Sequence, residues 1–172
     1  MIDFAHHSPF DNFSGIRFFR FIPEDHVRSI PGSPIDTIRI VNGPLILKTG
    51  KRWFYGYAAF QTADYKEKGG GGPHGPTYKF SFNGFLPLIS ATQSQNVSDM
   101  EEHRFLLDCI DNNGNRKLVG NLETPLAFES SEDVKPPVGA PNGNGYAFSF
   151  FGELYPKSPG YVDIDILPPD WR

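Results

Sequence analysis

Apolar and polar residues alternate along this chain in short bursts, and the period is usually two. The cleanest case is Tyr78-Lys79-Phe80-Ser81-Phe82-Asn83-Gly84, with rings at every second position and Lys, Ser and Asn between them. That pattern predicts an antiparallel strand with one face in the core and one in water. Tyr146 to Leu154 reads the same way. Ile16-Arg17-Phe18-Phe19-Arg20-Phe21-Ile22 differs, because both parities carry rings; it predicts a strand buried on both sides, or with one face against a partner, ended by Pro23. Ile38 to Val41 predicts a strand that Asn42-Gly43 turns in a tight hairpin, returning through Leu45-Ile46-Leu47. Trp53 to Gln61 predicts a long strand with Trp53, Tyr55, Tyr57 and Ala59 on one face and Phe54, Gly56, Ala58 and Phe60 on the other. Phe105 to Ile110 and Lys117-Leu118-Val119 predict a hairpin about Asp111-Asn112-Asn113-Gly114-Asn115, and Leu126-Ala127-Phe128 a further short strand. Ser98 with Glu101 three residues on fits a capping box, which predicts a short helix from Asp99 to about His103.

The segments between these bursts have their own character. Lys66 to Pro76 contains four successive glycines, Gly69 to Gly72, and predicts a flexible hairpin loop. It is not a phosphate loop: that pattern ends in Gly-Lys-Ser/Thr before a helix, whereas Pro73-His74-Gly75-Pro76 follows here. A second Pro/Gly/Asn loop spans Lys135 to Gly145. Residues 1–15 show no period and predict an extended arm. Phe4, Phe10 and Phe13 would be costly to leave in water, so the arm is expected to lie on its own domain or on a neighbour. Residues 156–172 predict an extended end that docks through Trp171. Together the elements predict a mainly β fold: an antiparallel β-sandwich or barrel with one short flanking helix and extended terminal arms. The 172 residues fit a single domain of this kind.

Composition sharpens the picture. The apolar share is only 38%, yet 15% of residues are aromatic and sixteen are Phe, so the core is expected to be built from rings. A net charge of −4, with no stretch concentrating Lys or Arg, argues against sequence-specific nucleic-acid binding. Lys48, Lys51 and Arg52, the nearest approach to a basic patch, read as a solvated turn. No apolar run reaches the length of a membrane span. Cys109, the single cysteine, sits in the apolar run Phe105 to Ile110 and reads as a small buried hydrophobe. The first residues show neither a charged leader nor a long apolar stretch, which predicts synthesis and folding in a cytoplasm.

Candidate chemistry is sparse. Asp111, Asn113 and Asn115 have the alternating oxygens of a calcium loop, but Arg116 and Leu122 stand where that loop needs Gly and Glu, so an Asn-Gly turn is expected. Of the histidines His6, His7, His26, His74 and His103, only His103 stands beside carboxylates, Glu101 and Glu102, and that set reads as a solvated turn. His6-His7 could bind metal only weakly, as any exposed His pair can, and no metal or other cofactor is expected. No Gly-x-Ser-x-Gly elbow occurs. Glu153 breaks an aromatic strand and reads as an exposed-face residue, or else as a tuned carboxylate. Trp53, Tyr55 and Tyr57 are either core or a flat platform that stacks on sugar rings. Finally, Tyr78 to Gly84 and Tyr146 to Gly152 share the pattern Tyr-x-Phe-Ser-Phe-x-Gly, from a duplication or from two strands meeting the same packing problem.

One resemblance covers about a quarter of the chain. The stretch leading into Phe105-Leu106-Leu107-Asp108, the Asp-Asn-Asn-Gly turn, Lys117-Leu118-Val119-Gly120, and Asn144-Gly145-Tyr146-Ala147-Phe148-Ser149-Phe150 resemble small structural proteins of bacteriophage tails. That resemblance implies a β-sandwich or barrel with a flanking helix, packed into a ring with copies of itself and with other virion proteins. The N-terminal arm, the glycine loop and the proline-rich end would touch neighbouring subunits, with Phe4, Phe10, Phe13, Trp53, Tyr55, Tyr57 and Trp171 as candidate contacts. It supplies no catalytic residues. The expectation is therefore a non-enzymatic subunit of a tail, neck or baseplate. A carbohydrate-binding sandwich is the alternative, and a hydrolase with loop-borne carboxylates comes third.

Overall fold

Rings on both parities of the first strand are matched by burial on both of its faces. The computed structural model describes residues 15–31, 40–59, 62–72, 75–87, 89–133, 144–154 and 160–162. In chain order its elements are strands β1 (Ile16–Pro23), β2 (Val27–Ser29), β3 (Ile40–Asn42), β4 (Ile46–Leu47), β5 (Phe54–Tyr55), β6 (Asp64–Gly72) and β7 (Gly75–Pro87). Helix α1 (Ala91–Glu101) follows, then β8 (Phe105–Asp111), β9 (Arg116–Val119), β10 (Ala127–Asp133), β11 (Gly145–Leu154) and β12 (Gly160–Val162). A six-stranded sheet has the order β3-β12-β9-β8-β1-β5, a four-stranded sheet β10-β11-β7-β6, and β2 pairs with β4 in a small third sheet. All pairings are antiparallel except that of β12 with β3, which is parallel.

The two larger sheets face each other across a ring-rich core, to which the six-stranded sheet gives Phe19, Phe105, Leu107, Cys109 and Val119 and the four-stranded sheet Phe80, Phe82, Phe128, Tyr146, Phe148 and Phe150. A second, smaller core of Ile22, Leu106 and Leu118 packs with Val27, Leu45 and Trp53 on the opposite face of the six-stranded sheet. The result is sandwich-like with a covering layer, and β1 and β8 are buried on both sides. A shift of register between Ile16 and Phe18 lets Ile16 pack with the first core despite its parity. The chain passes from one sheet to the other at Leu126, whose backbone pairs with that of Phe105.

The four-stranded sheet is ordered by one row of rings. Tyr65 lies opposite Phe82, Phe82 opposite Phe150, and Phe150 opposite Phe128, one residue from each strand on the inner face. The shared Tyr-x-Phe-Ser-Phe-x-Gly segments lie on β7 and β11, which are antiparallel neighbours paired about Phe82 and Phe150. Phe80 therefore faces Gly152, and Phe148 faces Gly84. The cover is not reciprocal: a Cβ on Gly84 would stand 2.5 Å from the Phe148 ring, whereas one on Gly152 would meet Leu126 at 3.1 Å. Packing therefore requires the glycine of the first motif directly.

Several elements differ from the sequence expectation. The glycines Gly69 to Gly72 are not a loop but the end of β6, paired with Tyr78 to Gly75 of β7, which opens at Gly75 (φ 117°). The helix starts eight residues earlier than the box at Ser98 suggests, because Ser90 is its cap, accepting from Gln93 N at 3.2 Å. Asn42-Gly43 does not close a hairpin: β3 pairs with β12 and β4 with β2, so Gly43 (φ 99°) redirects the chain to another sheet. Among the described residues of the long strand foreseen from Trp53 to Gln61, only Phe54 and Tyr55 are strand; Phe60 and Gln61 lie outside the described residues. Within the expected C-terminal extension, Gly160–Val162 joins the six-stranded sheet as β12. The hairpin about Asp111 to Asn115 and the two clean strands stand as expected.

Two glycine substitutions test this register. Gly84→Ala should lower stability by about 1–3 kcal/mol, since Phe148 must move. Gly70→Thr should raise it by roughly 0.5–1 kcal/mol, by stiffening the strand and making a cross-strand pair with Thr77; the nearest atom to its Cβ is Thr77 Oγ1 at 4.0 Å. Urea denaturation of both variants measures this; a loss at Gly70 would contradict the strand assignment.

Candidate functional site

A cleft of about 700 Å³ opens between the sheets beneath α1. Its floor is made of rings the register has already placed: Phe105, Phe128, Phe148 and Phe150, with Phe19 and Phe21 as one wall. The cleft persists because α1 is a poor plug. Its sequence, Ala-Thr-Gln-Ser-Gln-Asn-Val-Ser-Asp-Met-Glu, offers Val97 and Met100 to the core, while Thr92, Ser94, Gln95, Asn96, Ser98 and Asp99 stay exposed. Glu101 ties the helix to β10 by accepting from Ser130 Oγ at 2.7 Å.

The opposite rim comes from the chain after β5, which leaves β1 and crosses to the other sheet. Gly56 N donates to Phe19 O at 3.1 Å, and Ala59 N to Phe85 O at 2.8 Å. Gly56 is required at that crossing, since a Cβ there would lie 1.8 Å from the Phe19 ring. The crossing leaves Tyr55 47% and Tyr57 58% exposed beside the cleft. The Tyr55 ring centroid lies 5.9 Å from that of Phe18, and Phe54 stacks on Phe21 at the same distance.

Trp53 does not join these tyrosines on a common platform. It is 7% exposed, on the far face of the six-stranded sheet, with the Arg20 guanidinium 4.4 Å from its ring centre. Beneath it lies an ion cluster. Asp108, fully buried, accepts from Arg20 Nε at 2.7 Å and from Arg116 Nε at 2.8 Å, and Arg116 Nη2 also reaches its Oδ2. Register explains the contact, because Arg20 and Asp108 are direct cross-strand partners. Sequence reasoning passed over this cluster, although Arg20 shares parity with Ile22 and Asp108 stands inside an apolar run.

A second polar group ties the sheets along the β6 edge. Lys117 donates to the Tyr65 hydroxyl and, at 3.3 Å, to Glu67 Oε2, and Tyr65 OH donates to the same oxygen at 3.0 Å. Burial, and then Glu67 beside it, push the Tyr65 hydroxyl pKa well above its ordinary range. Cys109, the cross-strand partner of Lys117, has its thiol pushed up to about 12, first by burial and then by Asp108. At the β8–β9 turn, burial alone would raise the Asp111 carboxyl, but hydrogen bonds donated by Asn115 and Asn113 outweigh it and hold it below its usual value. The carboxylate thus closes the turn. Among the described residues no group of three or more His, Cys, Asp and Glu could hold a metal ion. No described helix is long and apolar enough to cross a membrane. Glu153 is exposed, as are Lys48, Lys51 and Arg52. Phe4, Phe10, Phe13 and Trp171 lie outside the described residues.

Fold and cleft together define a β-sandwich with a cleft at one side of its ring-built core, whose floor rings are themselves buried and whose rim carries two exposed tyrosines. Comparison with protein-family models, curated proteins and solved structures returns no match to this chain.

Asp108→Asn should cost about 3–5 kcal/mol, because it leaves two guanidinium groups against a neutral side chain in a buried site; chemical denaturation reads this directly. Native Cys109 should resist alkylation at about pH 9, where an ordinary thiol is already ionised, and react only after unfolding. Mass spectrometry of iodoacetamide-treated protein decides the matter, and rapid native labelling would contradict the burial.

Proposed function

We propose that this chain is a non-enzymatic structural subunit that works by self-association into a ring or tube, as part of a bacteriophage tail, neck or baseplate. The observation that carries the reading is the cleft: a solvent-reaching opening floored by phenylalanine rings, beside two exposed tyrosines. A concave, mostly apolar opening of this volume with a few polar groups at its rim is the form that binding sites take. The resemblance of the β8–β9 hairpin and of β11 to phage tail proteins supplies the class of assembly. A long edge strand adds support: β6 pairs with β7 on one side, and among the described residues no strand pairs with its other side. Light scattering at high micromolar concentration and negative-stain electron microscopy test the proposal. Rings or tubes are expected, and a stable monomer would sink it.

The exposure of Tyr55 and Tyr57 favours one second reading, stacking of sugar rings at the cleft rim. Under it, Tyr57→Ala should abolish binding on a glycan array while changing stability by no more than about 0.5 kcal/mol. Trp53→Ala should cost about 3–5 kcal/mol of stability and so cannot serve as a clean binding probe.

A further inference from the structure

The cleft and the direction of the first strand together point to what fills it. We infer that the phenylalanine-bearing segment of residues 1–14 of one copy seats in the cleft of the next copy, with Phe4, Phe10 and Phe13 as anchors; this rests on the self-association reading and names its contact.

Three observations carry the inference. The first is chemical match. The floor is Phe105, Phe128, Phe148 and Phe150, and it suits rings that settle tilted or edge-on against other rings, each burying roughly 150–250 Å². The rim offers Gln93, Asn96 and His103 to the backbone of an extended segment. Residues 1–14 hold three phenylalanines and few charges.

The second is direction. β1 begins beside the β8–β9 turn, where Gly15 O accepts from Asn112 N at 3.1 Å, and runs toward the cleft, which Phe19, Phe21 and Pro23 line. Whatever precedes Gly15 therefore joins the sheet at the end away from its own cleft. To fill that cleft it would have to reverse and travel back along four to eight residues of β1, on the order of 13–26 Å at about 3.3 Å per residue.

The third is reach. Phe13 stands two residues before Gly15, and its backbone extends no more than about 7 Å from it, against roughly 13 Å of strand from Gly15 to Phe19, the first cleft residue along β1. The whole segment can span on the order of 46 Å, enough to cross to a neighbour without reversing. A contact between the segment of one copy and the cleft of the next is head-to-tail, which closes into a ring or propagates as a tube.

Paired cysteine variants of the full chain test this. Phe10→Cys and Asn96→Cys are prepared separately and mixed under mild oxidation; Asn96 is exposed and lines the cleft. The expected result is a disulfide-linked heterodimer of the two variants, and a ladder of linked chains from the variant carrying both changes. An intrachain disulfide in that double variant would overturn the inference, and so would assembly with no cross-link. In the second case self-association stands and only the contact fails; a wild-type chain that stays monomeric removes the reading beneath it. As an independent measure, Phe4→Ser, Phe10→Ser and Phe13→Ser together should raise the concentration for half-assembly roughly tenfold or more without moving the thermal midpoint. Unchanged assembly would overturn the inference.

Discussion

Burial of β1 and β8 on both faces is the constraint on which the rest of this structure depends. A strand pair with no wet face needs a layer on each side, and the two layers here are chemically unlike. Toward the four-stranded sheet the pair presents Phe19, Leu107 and Cys109, and the contact is apolar. Toward the covering layer it presents Arg20 and Asp108, and the contact is an ion cluster under an indole. The apolar side supplies burial that follows area. The ionic side is sensitive to geometry: a carboxylate between two guanidinium groups tolerates no slip in register, because removing one partner leaves a charge in a dry site. A one-residue shift of β1 against β8 would exchange the two faces, placing Arg20 among the phenylalanines.

The same logic shows why some of the structure was legible in the sequence and some was not. The half-buried strands β7 and β11 were plain because one wet face leaves a polar mark at every second position. For β1, rings on both parities correctly implied burial on two sides. The start of the helix was misplaced because it hardly packs: with only Val97 and Met100 turned inward it leaves no period to read, and the box at Ser98 offered a false start inside it. The glycine run was taken for a loop because glycine carries no strand signal, and its pairing is supplied by the neighbour, Tyr78 to Gly75. Asn42-Gly43 misled because the dipeptide specifies a turn and not the strand that follows.

The candidate site was legible only in part. Tyr55 and Tyr57 were singled out, and they do border the cleft, but Trp53 was grouped with them by parity along a strand that ends at Tyr55. The floor rings Phe105, Phe128, Phe148 and Phe150 come from three strands in two sheets. No local pattern announces such a gathering, since it follows from the sandwich packing and from the weakness of α1 as a plug.

The row of rings across the four-stranded sheet also sets an order of events in folding. Its two outer pairings are comparatively local: β6 with β7 through a tight reversal, and Phe128 with Phe150 across a moderate loop. The central pairing that joins the two halves brings Phe82 to Phe150, and β1 must find β8 from farther still, Phe19 against Cys109. Loop-closure entropy is lost before such distant contacts repay it. By this argument the chain is built to form its hairpins early and to commit late, at the steps where β7 meets β11 and β1 meets β8. Until then the inner faces of both halves stay wet, and each half offers an edge that fits the other half of any copy nearby.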